Sequence, residues 1–270
     1  MTTGLKSATG APAESATAIH GNPAARVWLF DFDNTLAALE REVDWAASRR
    51  ELEGFLRAEG IGDAIFAEFP RRNLTLYDAL LHRLRDRQNA TPAPGNGSAT
   101  AISHENPAAL LRRASAIIED YEMRGVARAV PLGGASELVD GLRARGNTVA
   151  VVTSNSSRTV ARWLEIHRLD THVAAIVGRD SLLALKPEPA IVSRALELTG
   201  ASPAEAVLVG DSEADLRAAR AAKVCFYGIA AEAEARGVLK RLGAQEIFAS
   251  PAEVGHHLGM KSRLNGGLNA

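Results

Sequence analysis

Only one cysteine, Cys225, occurs in the 270 residues. No internal disulfide can therefore form, and nothing marks the chain for an oxidising compartment. The residue lies in the apolar run Val224-Cys225-Phe226-Tyr227, where a small core side chain is expected rather than a reactive thiol. Charge of either sign is also not in excess: 31 Lys and Arg face 32 Asp and Glu. That balance gives no broad electrostatic footprint for nucleic acid or an anionic membrane, and leaves room only for a local basic pocket. No apolar stretch approaches the length of a membrane span. Met1–Ala25, rich in Ala, Thr, Ser and Gly, has neither a basic start with an apolar stretch behind it nor an amphipathic pattern. It is expected to be a disordered leader, residues 260–270 a short tail, and the cytoplasm the compartment.

What is present is ordinary for a soluble globular protein, with 46% hydrophobic and 23% charged residues. The length suffices for one large core, or for a core with an inserted module. Short apolar runs recur at Val27-Trp28-Leu29-Phe30, Thr148–Thr153, Val173–Val177, Ala206–Val209, Val224–Ile229 and, more weakly, Glu246–Ala249. Their lack of polar alternation suits strands covered on both faces, as in a parallel sheet. Helical patterns separate the later runs. Glu137, Leu138 and Leu142 lead to a stop at Gly146. Ser202-Pro203-Ala204-Glu205 reads as a helix start with a capping glutamate, and Asp215–Ala222 is helix-prone. This alternation predicts an α/β fold with one doubly wound parallel sheet, over residues 26–38 and 131–259.

Residues 39–130 read differently. Trp45, Leu52, Phe55 and Leu56 form one helical stripe that Asp44 can cap. Leu74, Tyr77, Leu80, Leu81 and Leu84 form a second. Leu110, Leu111, Ala114, Ile117, Ile118 and Tyr121 form a third, opened by Pro107. An α-helical module is thus predicted as an insertion after the first strand, with a mobile loop at 88–104.

The first strand ends in Asp31-Phe32-Asp33-Asn34-Thr35-Leu36. Ligands of open α/β sheets bind beyond the carboxyl ends of the strands. Two carboxylates there can divide a reaction, one attacking and the other passing a proton. Capping a helix or a turn is the plainer role for the same residues. This string resembles the Asp-x-Asp-x-Thr/Val signature of phosphatases in the haloacid dehalogenase superfamily. The resemblance implies Asp31 as nucleophile and Asp33 as general acid and base, with Thr35 at the last polar place of the motif.

Three later strand ends extend the resemblance. In Thr153-Ser154-Asn155, a hydroxyl and backbone N–H groups ahead of a helix can bind phosphate oxygens; Ser154 and Asn155 fit best, with Thr153 an alternative. In Leu185-Lys186-Pro187-Glu188-Pro189, the prolines keep Lys186 out of the next helix, a compact positive charge for a carboxylate and a phosphoryl group. In Gly210-Asp211-Ser212-Glu213-Ala214-Asp215, Asp211 suits Mg²⁺, and Asp215 one turn on suits holding Lys186 or Ser212. By resemblance the metal site is Asp31, the backbone carbonyl of Asp33, and Asp211, and the helical insertion is a cap. The implied activity is Mg²⁺-dependent hydrolysis of a small phosphorylated metabolite, phosphoglycolate or a sugar phosphate among others, with Arg41, Arg71, Arg72 and Tyr77 as candidate cap contacts. Sugar-phosphate mutation, hydrolytic dehalogenation and non-catalytic ligand sensing remain as alternatives; Asp33 and Asp211 together argue against the dehalogenase.

Overall fold

A computed structural model describes residues 25–70, 72–89 and 105–260. Arg71, the 1–25 leader but for its last residue, most of the 88–104 loop and nearly all of the 260–270 tail lie outside the described residues. Six strands build one parallel sheet: β1 (Val27–Phe30), β2 (Thr148–Val152), β3 (Val173–Val177), β4 (Ala206–Gly210), β5 (Cys225–Ile229) and β6 (Glu246–Phe248). Their order is β3-β2-β1-β4-β5-β6. β1 is central, with Phe30 level with Val151 on one side and Val209 on the other.

Alternate residues of each strand enter two separate cores, which is why the runs are apolar without alternation. Trp28 and Phe30 share one core with Val149, Val151, Val207 and Val209. Helices α5 (Ala135–Ala144), α6 (Ser157–Ile166) and α10 (Pro251–His257) cover it through residues such as Leu138, Trp163 and Val254. Val27 and Leu29 join Ala150, Val152, Ala206 and Leu208 in the other core. That face is covered by α7 (Ala190–Thr199), α8 (Glu213–Ala221) and α9 (Ala233–Arg241).

Between β1 and α5 the chain is helical: α1 (Trp45–Ala58), α2 (Ala64–Glu68), α3 (Asn73–Asn89) and α4 (Pro107–Gly125). The three apolar stripes converge in a third core that includes Leu52, Leu56, Leu80, Leu84, Leu110 and Ile118. Asp44 caps α1 by accepting from the Ala47 N–H at 2.9 Å, and Asn106 caps α4. The two connections to the sheet run together: Ala37 bridges Pro131, Ala38 N–H donates to the Val130 carbonyl and Leu132 N–H to that of Leu36.

Two local readings are corrected. Ser202 and Glu205 do form a capping box, but it closes only a 3-10 turn, Pro203–Glu205. Strand β4 starts at the next residue and takes the chain before a helix can grow. α8 begins at Glu213, earlier than the expected Asp215, because Ser212 is its N-cap. Truncation of the fully buried Leu80 in the core of the helical insertion should cost about 2–5 kcal/mol. A lowered urea midpoint for Leu80→Ala checks this; an unchanged midpoint would contradict the packing described.

Candidate active site

Asp31 and Asp211 each follow directly on a strand, β1 and β4. β1 delivers Asp31, whose N–H continues the ladder by donating to the Val209 carbonyl at 2.8 Å. The chain then turns back: the Phe32 carbonyl accepts from Leu36 N–H at 2.8 Å and Ala37 N–H at 3.0 Å, while Asn34 takes a left-handed φ of 59°, a conformation that asparagine tolerates. Phe32 is buried edge-on against Trp163, with ring centroids 5.3 Å apart, which fixes the residue between the two aspartates. Asp33 Oδ1 accepts from Leu39 N–H at 2.9 Å and Glu40 N–H at 3.0 Å. Thr35 is fully buried beneath this turn, its hydroxyl without a partner among the described residues.

Lys186 connects the strand ends. Its Nζ lies 2.5 Å from Asp31 Oδ1, 2.5 Å from Asp215 Oδ1 and 3.2 Å from the Val152 carbonyl. The peptide to Pro187 is cis, and the lysine stays clear of α7, which starts at Ala190. Asp215, fully buried on the first turn of α8, also accepts from Ser212 N–H at 3.1 Å and from the Ser212 hydroxyl. Capping and site-building are thus one arrangement here. Gly210 makes it fit: a Cβ at that position would sit 2.5 Å from Asp215 Cγ.

Asp31, Asp211 and Asp215 each offer a carboxylate oxygen within 4.8 Å of one another. Burial pushes the Asp31 carboxyl up to about 6, with Lys186 opposing and Asp215 adding to the rise. Burial, then the charges of Asp31 and Asp215, push Asp211 up to about 8. Asp33 is raised to about 7 by burial against the two N–H bonds it accepts. For Lys186 burial acts downward, but Asp215 and Asp31 outweigh it and hold the ammonium charged. Three crowded carboxylates share one lysine, so negative charge remains uncompensated. A hard divalent cation with oxygen ligands fits that deficit. Asp31 and Asp211 are the side chains placed to hold it, since Asp215 is already engaged by Lys186 and Ser212.

The loop after β2 departs from expectation at Asn155. Its side-chain Nδ2 donates to Glu122 Oε1 at 3.1 Å and its Oδ1 accepts from Thr153 Oγ1 at 3.1 Å; the side chain is buried and turned to α4 of the helical insertion. Ser154 is half-buried, so the hydroxyl suited to an anion in this loop is that of Ser154. Tyr77 is buried as well, its hydroxyl 3.4 Å from the Arg179 carbonyl, and so is a packing residue. Glu122 and Arg179 were not singled out from the sequence. A signal was there: Glu122 follows Ile118 by four residues, placing an acid on the apolar face of α4.

The family model for haloacid dehalogenase-like hydrolases matches residues 96–229. The chain belongs to that family. A phosphoglycolate phosphatase of Pseudomonas putida is 30% identical over 121 residues, 45% of this chain and 44% of that protein. The pyrophosphatase PpaX of Bacillus cereus is 36% identical over 80 residues, 30% of this chain and 37% of its own length. The chain therefore spans less than half the length of these curated relatives. A haloacid dehalogenase-like hydrolase of Bacteroides fragilis shares the fold at a TM-score of 0.57 and 19% identity, covering 85% of this chain and 99% of that one.

A divalent cation held at this cluster would have a thermodynamic signature. A carboxyl raised from 3.8 to about 8 binds its proton more tightly folded than unfolded. That contribution is fully present below the unfolded value and is lost as pH climbs through the folded one. Mg²⁺ at a hundred times its dissociation constant stabilises by about 2.7 kcal/mol, and at high pH no proton competes for Asp211. The Mg²⁺-induced rise in Tm should therefore be larger at pH 8 than at pH 5, and Asp211→Asn should abolish it. An equal rise at both values, or one that survives the substitution, would contradict the assignment.

Proposed function

We propose that the chain is a Mg²⁺-dependent phosphatase that hydrolyses a small phosphomonoester through an aspartyl-phosphate. The observation that carries this reading is the ammonium of Lys186, 2.5 Å from both Asp31 and Asp215, within a cluster of acids that includes Asp211. A bare nucleophile beside a fixed positive charge is what phosphoryl transfer requires, because its catalysis is mostly positioning and charge stabilisation. Dehalogenation by the same aspartate would have no use for the Asp211 carboxylate. The two curated relatives act, by their names, on phosphoglycolate and pyrophosphate, which places phosphorylated metabolites first among substrates to examine.

In this reading Lys186 neutralises one oxygen of Asp31 and leaves the other to attack phosphorus. The bond from phosphorus to the leaving oxygen breaks, and Asp33 donates that oxygen its proton. Asp33 is held by the Leu39 and Glu40 N–H groups through one oxygen, so its other oxygen is the one that carries the proton. Asp33 then takes a proton from water, which attacks the aspartyl-phosphate, releases inorganic phosphate and restores Asp31. The Ser154 hydroxyl and N–H steady the phosphoryl oxygens. Mg²⁺, held by Asp31 and Asp211 with the Asp33 main-chain carbonyl that the family resemblance adds, would neutralise phosphoryl charge. Thr35, Ser212 and Asp215 act behind these groups, holding the turn and the lysine.

Phosphate release from an aryl phosphate tests the proposal directly. With Mg²⁺ the wild type should turn over and with EDTA it should not. Asp31→Asn should lose all activity, and Asp33→Asn should lower kcat at least about 10²-fold, the contribution typical of general acid–base catalysis. No release by the wild type, or undiminished release by Asp31→Asn, defeats the reading. A panel of phosphoglycolate, sugar phosphates, nucleotides and pyrophosphate then ranks substrates by kcat/KM.

A further inference from the structure

Arg179 and Glu122 are fully buried and paired at 2.8 Å. Arg179 stands in the turn after β3 and Glu122 on cap helix α4. The guanidinium has five N–H groups, and five contacts meet them. Nε donates to Ser115 Oγ at 3.1 Å. Nη1 donates to Glu122 Oε1 and to the Ser154 carbonyl, both at 2.8 Å. Nη2 donates to the Ser115 carbonyl and to Glu122 Oε2, both at 3.2 Å. Glu122 in turn accepts from Asn155 Nδ2, Ser156 N–H and Thr159 Oγ1, each at 3.1 Å. The pair therefore grips the β2–α6 loop on both sides of Asn155: through the Ser154 carbonyl before it and the Ser156 N–H after it. A third hold is the Arg179 N–H, which donates to the Asn155 carbonyl at 2.9 Å. The approach is close, since a Cβ on Gly178 would sit 2.6 Å from the Ser157 nitrogen.

Stability alone does not account for such a pair. Burying two charges costs so much solvation that apolar side chains of similar volume are often as stable or more so. What an apolar replacement cannot do is fix the direction of a carbonyl and an N–H in a neighbouring loop. Displacing a phosphate-binding group by about 1 Å can cost 10²-fold in rate.

We propose that Arg179 and Glu122 are positioning residues: the pair built between cap helix α4 and the β3 turn holds the Ser154 loop in its anion-binding conformation. This rests on the phosphatase reading above. The cap then does more than cover the site, because one of its helices supplies half of the clamp that shapes the core's own phosphate loop.

Three variants test it: Glu122→Leu/Arg179→Met, Arg179→Lys and Ser115→Ala. The double variant removes both charges together but leaves the Ser154 carbonyl, the Asn155 amide and the Ser156 N–H without these partners, so its Tm should fall while the chain still folds. Its affinity for inorganic phosphate, measured by calorimetry with Mg²⁺ present, should fall about tenfold, and kcat/KM by about 10- to 100-fold. Arg179→Lys keeps the charge without the planar fork and should recover only part of the loss. Ser115→Ala removes a single contact from the far side of the clamp and should fold in any case, with about a threefold weaker affinity for phosphate, in line with one hydrogen bond. The Mg²⁺-induced rise in Tm should persist in all three, because Asp31 and Asp211 are untouched. Folded variants with the wild type's phosphate affinity and kcat/KM would overturn the positioning role alone. A wild type that neither binds nor releases phosphate would overturn this role and the phosphatase reading together.

Discussion

Three carboxylates brought to the end of one sheet cannot stay there without a cation between them. Asp31, Asp211 and Asp215 come from two neighbouring strand ends and the first turn of a helix, and the low-dielectric site in which they meet raises the cost of every unpaired charge. Lys186, arriving from a loop on the far side of the β2 strand end, relieves part of that cost. The remainder is the chemical opportunity: a deficit that a metal and a phosphoryl group can share. Other features follow from keeping this junction intact. β1 is central so that its last residue faces both neighbours. Gly210 lacks a side chain because Asp215 occupies its space. Phe32 anchors the stretch between Asp31 and Asp33 against Trp163.

The helical insertion is bound to this junction more tightly than a lid would need to be. Leu185, one residue before Lys186, packs in the insertion's own core beside Leu80 and Leu84. Asp78 on α3 accepts from the Leu185 N–H at 3.2 Å, and Arg85 reaches the carbonyl of Leu182. Leu182 itself has a left-handed φ of 57°, a cost for a non-glycine residue that contacts with the cap offset. With Glu122 holding the Ser154 loop, α3 and α4 each grip a different segment of the site. The insertion and the sheet are therefore joined at the site by contacts the backbone topology alone would not suggest.

The legible parts of the sequence were those whose cause is local. Each of the six short apolar runs became a strand, since a segment covered on both faces needs no partner to declare its hydrophobicity. The three stripes of the insertion became α1, α3 and α4 because a 3.6-residue period over four or five turns is hard to produce otherwise. The five residues of α2 are too few to show a period. Ser202–Glu205 carried every sign of a helix start, yet a strand followed at once. Asn155 read as an anion ligand from its place in the loop, while its amide turns to Glu122, 33 residues away in sequence.

By itself the sequence determined that acids would stand at the carboxyl ends of parallel strands, because strand, turn and acid are neighbours along the chain and their order survives folding. It also determined that a helical insertion would follow β1. The sequence offered Lys186 to a carboxylate and Asp215 as its holder; the tertiary structure alone decided that Asp31 and Asp215 share the one ammonium, that Asp33 turns to Leu39 and Glu40, and that Glu122 meets Arg179. The Lys186 and Glu122 outcomes depend on electrostatics and close packing between segments tens of residues apart, and that of Asp33 on how a short turn closes; such terms have no periodicity for a sequence to display.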